Sequence, residues 1–127
     1  MFLSFDIETT GFDPKKDHVI EIAAVRFNEH EILETFSTLV NPGGKIPANI
    51  KLLTGITDEE LAASPTLDEI KEKFLAFAGS DILIAHNISF DRTFLQSNNI
   101  PLADVGYDSC ELARILLPHL PSYSLEI

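Results

Sequence analysis

The chain is short of positive charge. Nine Lys and Arg stand against twenty Asp and Glu among 127 residues, for a formal net charge of −11 and a pI near 4.5. Phosphate contacts are normally made by Lys and Arg, so this balance argues against tight non-specific nucleic-acid binding by the chain alone. The objection weakens where carboxylates gather divalent cations, which bring positive charge of their own. Cysteine is nearly absent too: a single Cys110 excludes an internal disulfide and a zinc-type cysteine cluster. No apolar run approaches bilayer length. The opening residues Met1-Phe2-Leu3-Ser4-Phe5-Asp6 lack a basic stretch and reach an acid too early for a secretory leader. These absences predict a cytoplasmic protein with no membrane partner. Repeats, low-complexity tracts and linkers are also lacking. With 45% hydrophobic residues and a mean hydropathy of +0.12, the chain reads as one globular domain over residues 1–127.

Period-two patterning predicts strands first. From Phe2 to Ile7, Leu3, Phe5 and Ile7 share one face while Ser4, Asp6 and Glu8 share the other. His18 to Phe27 is an apolar run suited to a central strand. Ile32 to Val40 follows a short turn and ends at Asn41-Pro42-Gly43-Gly44, which makes the first three strands a meander. Helices then take over. Thr57 with Glu60, and Thr66 with Glu69, fit capping boxes. Leu67, Ile70, Phe74 and Phe77 form a helical stripe that Gly79 stops. Asp81 to Ala85 is a short buried strand, and Asn87 is placed to N-cap a helix carrying Phe90, Phe94 and Leu95. Val105 to Asp108 reads as a last strand, Ser109 to Leu116 as a helix ended by Pro118, and Tyr123 to Ile127 as the opening of another helix. The order predicts a mixed α/β sheet flanked by helices.

Two clusters carry chemistry. Asp6 and Glu8, at i and i+2, leave one face of a strand together: they are either two solvated acids at a strand end, the ordinary role of a bare D-x-E, or carboxylates that repel each other and lose hydration. A hard divalent cation relieves both penalties, and Mg²⁺ or Mn²⁺ suits oxygen ligands. The small residues Thr9, Thr10 and Gly11 that follow allow a ligand close to the backbone. The second cluster is Ala85-His86-Asn87-Ile88-Ser89-Phe90-Asp91, in which Asp91 falls in the first turn of a helix, where an acid is favoured by the helix dipole. By itself Asp91 is an ordinary helix-start acid; apposition to Asp6 and Glu8 would make it a ligand.

Ser4-Phe5-Asp6-Ile7-Glu8-Thr9-Thr10-Gly11 resembles the first exonuclease motif of the DEDD superfamily, and Ile84-Ala85-His86-Asn87-Ile88-Ser89-Phe90-Asp91 is similar to its second. Ile20-Glu21-Ile22-Ala23-Ala24-Val25 and Leu53-Thr54-Gly55-Ile56-Thr57 match family segments in the expected order, and the nearest group is the histidine-type branch that includes proofreading subunits of bacterial replicative polymerases. The resemblance implies a ribonuclease H-like sheet and a 3′→5′ exonuclease that uses two ions, roughly 4 Å apart, bridged by Asp6 and completed by Glu8 and Asp91. It implies that Thr9, Thr10 and Gly11 approach the terminal nucleotide, that Leu53, Thr54 and Ile56 wedge against bases, and that Asn87 and Phe90 line the strand path. For Leu53, Ile56 and Phe90, core packing is the competing role. The implied partners are a single-stranded DNA or RNA 3′ end and a polymerase or other replication or repair protein.

The family's third motif supplies a His base and a fourth Asp five residues later. That motif should follow the segment near Tyr123, and Ile127 precedes it, so the chain reads as an exonuclease domain incomplete at its C-terminus. His86 and Asp91 share the same spacing, but their context belongs to the second motif, and His86 reads as structural. Asp108 reads as a cap. The alternative is a catalytically deficient module that keeps the fold for nucleic-acid or protein binding.

Overall fold

The computed structural model describes residues 1–102 and 106–125. Five strands form one sheet in the order β3-β2-β1-β4-β5: β1 (Phe2–Thr9), β2 (Val19–Phe27), β3 (Ile32–Leu39), β4 (Ile82–Ala85) and β5 (Gly106–Asp108). β1 pairs antiparallel with β2, and β2 with β3, giving the meander. β4 adds parallel to β1, and β5 parallel to β4. The mixed α/β class expected from the element order is the one observed. One sheet edge therefore gathers the C-terminal ends of β1, β3, β4 and β5 together with the start of β2.

The alternation in β1 sorts its faces. Leu3, Phe5 and Ile7 are buried, Phe5 and Ile7 pairing across β2 with Ala24 and Ile22, in one core with Phe74 of α3 (Leu67–Ala78) and Phe94 and Leu95 of α4 (Ile88–Ser97). Each such side chain contributes about 1.5–3 kcal/mol on burial. On the other face, Ser4, Asp6, Ala23, Val25, Thr35 and Ser37 line a shallow open cleft of about 240 Å³. α5 (Ser109–Leu116) packs over β4 and β5 rather than over the meander.

Both threonines cap their helices, each through the hydroxyl half of the expected capping box. Thr57 accepts from Glu60 N–H at 3.1 Å ahead of α2 (Asp58–Ala62), and Thr66 from Glu69 N–H at 3.3 Å ahead of α3. Gly79, with φ of 55°, ends α3 as expected. The helix α1 (Ala48–Thr54) had no expectation attached to it: Pro47 at its N-cap makes no side-chain bond, so the usual start signal is missing. Its stop was available, since Gly55 takes the left-handed conformation and donates to Lys51 O at 2.9 Å. α1 and α2 close a second small core of Ile20, Ile46, Ile50, Ile56 and Leu61.

Two sequence expectations need correction. Asn87 does occupy the N-cap position of α4, but its side chain makes no cap bond, because the residue sits in the left-handed region at φ 61°, ψ 56° to turn the chain sharply out of β4. No helix opens over Tyr123–Leu125: the tyrosine hydroxyl donates back to Leu117 O at 2.9 Å and the segment bends over α5. Val105, expected to begin the last strand, lies outside the described residues, as do Glu126 and Ile127. Among the described residues no helix is long and apolar enough to cross a membrane.

Candidate active site

The pairing of β1 with β4 runs only from Phe2–Ile82 to Ser4–Ile84, and β4 ends at Ala85. Beyond that point the first turn of α4 comes down beside β1. It brings Asp91 to the strand that carries Asp6 and Glu8, and the Ile7 backbone N–H hydrogen-bonds to the Asp91 carboxylate. The tie follows from local geometry: a strand edge vacated by its partner leaves donors that need an acceptor.

Asp91 is 3% exposed, the only charged side chain among the described residues that is fully buried, and its Oδ2 has no hydrogen-bond partner. Burial pushes its carboxyl up, the negative charges of Asp6 and Glu8 push it further, and the Ile7 N–H opposes them only in part, leaving its pKa at about 8. Asp6 lies on the open face of β1, and desolvation by its surroundings raises its pKa; the Ile7 backbone and the nearby His86 ring oppose that rise. Three carboxylates thus sense one another across β1 and α4. Among the described residues, no three His, Cys, Asp or Glu donors are already drawn close enough to grip one ion, as expected of like charges with nothing between them. The donor set is all hard oxygen, one oxygen is buried and unsatisfied, and both features fit Mg²⁺ or Mn²⁺.

The remaining expected site residues fall in three groups. Thr9, Thr10 and Gly11 follow β1 directly, but their polar groups serve the loop. Thr9 donates to Gly11 O at 2.6 Å, and Thr10 accepts from His18 N–H at 2.9 Å. Asp17 is the hub that sequence reading missed. It accepts from Asp13 N–H at 2.9 Å and packs so tightly on Gly11 that an added Cβ would meet its carboxylate at 2.4–2.8 Å. Leu53 is 69% exposed at the end of α1, so core packing does not account for it, whereas Ile56 is 6% exposed and belongs to the second core. Thr54 bonds within its own helix, to Ile50 O at 2.7 Å. Phe90 is half-buried against the main core and touches Phe12, ring centroids 6.2 Å apart. Phe12, 89% exposed beside this cluster, was also missed; its only signal was an aromatic in a turn. Asn87 is exposed, and its N–H donates to Asp108 Oδ1 at 3.0 Å.

Asp108 acts as the cap expected of it, accepting also from Cys110 and Glu111 N–H at 2.9 and 3.3 Å. Burial works against its charge, but the backbone donors outweigh burial and hold its pKa below the usual value. His86 is structural in the same sense: Nδ1 lies 3.0 Å from Ser109 Oγ, and Nε2 bonds to Tyr123 O.

This sheet, with acids at the C-terminal ends of adjacent parallel strands, defines a ribonuclease H-like nuclease domain. Residues 3–123 match the RNase T family model, described as exonuclease, and the chain belongs to that family. It is 42% identical over 133 residues to the PolC-type DNA polymerase III of Clostridium perfringens (strain 13 / Type A), covering 99% of this chain and 9% of that protein. It is 41% identical over 130 residues to the DNA polymerase III subunit epsilon of Aquifex aeolicus, covering 98% of this chain and 64% of that one. The chain therefore spans less than two thirds of either relative. Exonuclease X, solved in complex with 5′ overhanging duplex DNA, superposes with a TM-score of 0.77 at 29% identity, over 98% of this chain and 68% of that one. E. coli exonuclease I bound to an oligonucleotide shares the fold, with a TM-score of 0.81 at 22% identity, over 98% and 34% of the two chains.

Proposed function

We propose that this domain is a 3′→5′ exonuclease unit that hydrolyses phosphodiester bonds at single-stranded 3′ ends and releases nucleoside 5′-monophosphates. The observation that carries the reading is Asp91, a buried carboxylate with an unpartnered oxygen, held against Asp6 and Glu8 in a chain of the exonuclease family. Asp6, Glu8 and Asp91 would hold Mg²⁺ or Mn²⁺, two ions in the complete site. Bound there, the cations supply charge neutralisation and an activated water for phosphoryl chemistry. The chain's own part is to place anionic oxygens at the end of a rigid central strand and to fix the helix that completes them.

Thr9, Thr10 and Gly11 would meet the terminal nucleotide through the backbone. Leu53, with Thr54 beside it, would wedge against a base, Ile56 would seat that segment, and Phe90 and Asn87 would line the path. In the family that the sequence resembles, a His base and a fourth carboxylate complete such a site. The setting would be the cytoplasm, beside a polymerase or other replication or repair protein, in DNA proofreading, repair or RNA trimming. A longer chain carrying a downstream His and an Asp five residues after it should degrade 3′-labelled single strands with Mg²⁺ or Mn²⁺. In that chain Asp6→Ala should abolish the activity; full activity in Asp6→Ala would sink the assignment.

A second reading, a catalytically deficient binding module, is favoured by the net charge of −11. Binding of single strands by the longer chain without release of mononucleotides would select it.

A further inference from the structure

The nine Lys and Arg are not spread evenly in their availability. Arg26 is held by Asp81 at 2.6 Å and Glu34 at 3.1 Å, and Lys51 is paired with Asp58. Arg114 lies over the Tyr123 ring, and Arg92 is walled in beside Gly106. Lys71 and Lys73 ride on α3. The other three, Lys15, Lys16 and Lys45, are exposed and sit in the loops that leave β1 and β3, at the same sheet edge as Asp6 and Glu8. An open cavity of about 300 Å³ lies at that edge, lined by Thr10, His18, Gly43, Gly44 and Lys45 among others. Thr10 is two residues past Glu8, at most about 7 Å of extended chain.

The walls of the cavity suit a phosphodiester. Gly43 and Gly44 bring backbone close with no side chain in the way, nothing lying within 4 Å of an added Cβ at either. The Thr10 hydroxyl and the His18 backbone N–H already bond to each other, which fixes that wall. Asp58 and Glu59 share a neighbouring cavity with Lys45, and the Lys45 charge helps to lower the Asp58 pKa, but Asp58 is already bonded by Lys51 and by the Ile46 N–H at 2.9 Å. Among the described residues Lys45 itself makes no ion pair.

We infer that the cavity lined by Thr10, His18 and Lys45 is a subsite for a nucleic-acid backbone phosphate upstream of the scissile one, with Lys45 as its principal cation. The inference rests on the exonuclease reading and names where an acidic chain grips the body of the strand, separately from where it would cut. Such a contact is independent of base identity and positions the strand rather than reacting with it.

The test uses the 127-residue chain, Ca²⁺ and a fluorescein-labelled oligothymidylate, with anisotropy followed across a salt series. Lys45→Gln should weaken binding roughly fivefold and lower the slope of log K against log salt by about 0.7, the value of one single-strand phosphate contact. Lys45→Arg should restore most of that slope, and His18→Gln should weaken binding less. Lys73→Gln, which makes the same change in charge on α3, should do little. If Lys45→Gln and Lys73→Gln behave alike, or if Lys45→Gln changes nothing, the subsite is wrong while the exonuclease reading stands. If the wild-type chain does not bind the strand at all, the subsite is overturned, and the exonuclease reading stands or falls on the Asp6→Ala test.

Discussion

At Asp91 the cost of burying a carboxylate is concentrated in one side chain. Its folded pKa of about 8 stands above its ordinary value of 3.8, so folding favours the protonated form. The stability it contributes is fully present below about pH 4 and is lost as pH rises through 8. The metal-free chain should therefore lose stability over that window, by up to a few kcal/mol, and then level off; thermal melts in EDTA across pH would show it. At the proposed site Mg²⁺ or Mn²⁺ would bind the ionised form, so the rise in Tm on adding metal should be larger at pH 8 than at pH 6. Asp91→Asn should raise the metal-free Tm at pH 8 by roughly 5 °C and erase the response to metal. A variant that melts lower in EDTA yet still responds to Mg²⁺ would count against Asp91 as a ligand. Asp6, Glu8 and Asp91 were all legible as acids in motifs. Their convergence was implied only by the resemblance, and the burial of Asp91 not at all, because neither follows from spacing within one element.

Among the elements, two junctions hold the site. Asp108 receives N–H groups from the start of α5 and from Asn87 at the mouth of α4, so one side chain ties the second parallel crossover to the first. Asp108→Ala should cost about 1–2 kcal/mol in chemical denaturation and should weaken metal binding along with stability, since it loosens the turn that presents Asp91. The loop from Thr10 to His18 is the other junction. Gly11→Ala drives a methyl into Asp17 and should cost about 1–3 kcal/mol; Asp17→Ser in the same chain should return part of that loss. Strands and capped helices were readable here because Leu3, Phe5 and Ile7 alternate and Thr57 and Thr66 announce their helices. α1 escaped because Pro47 offers no side-chain cap. Asn87 misled because a residue fit to cap is also fit for the left-handed turn the chain needed there.

For the whole molecule, stability rests on one core shared by the sheet with α3 and α4. Phe74 lies at its centre, 0% exposed and 5.6 Å from the Phe36 ring. Phe74→Ala should cost about 3–5 kcal/mol, a large share of a small domain's stability, visible as a shift in denaturation midpoint. The opposite side is different: the cleft over Ser4, Asp6 and Ala23 is open, and α5 and the segment after it leave Ile115, Leu116 and Leu125 exposed.

Strand periodicity, caps and the two acidic motifs sufficed for the mixed sheet and for the family, since they are local regularities that survive without knowing which elements touch. Which faces met was decided only in three dimensions. Leu53 turned out exposed and Ile56 buried, three residues apart at the end of one short helix. Asp17, silent in the chain, proved to be what makes Gly11 necessary. Asp91 became more than a helix-start acid only because β4 stops short and leaves the edge of β1 to α4. Scarcity of positive charge was plain from composition, but a count carries no positions: folding placed Lys15, Lys16 and Lys45 at the sheet edge that carries Asp6 and Glu8 and engaged Arg26 and Lys51 in ion pairs elsewhere.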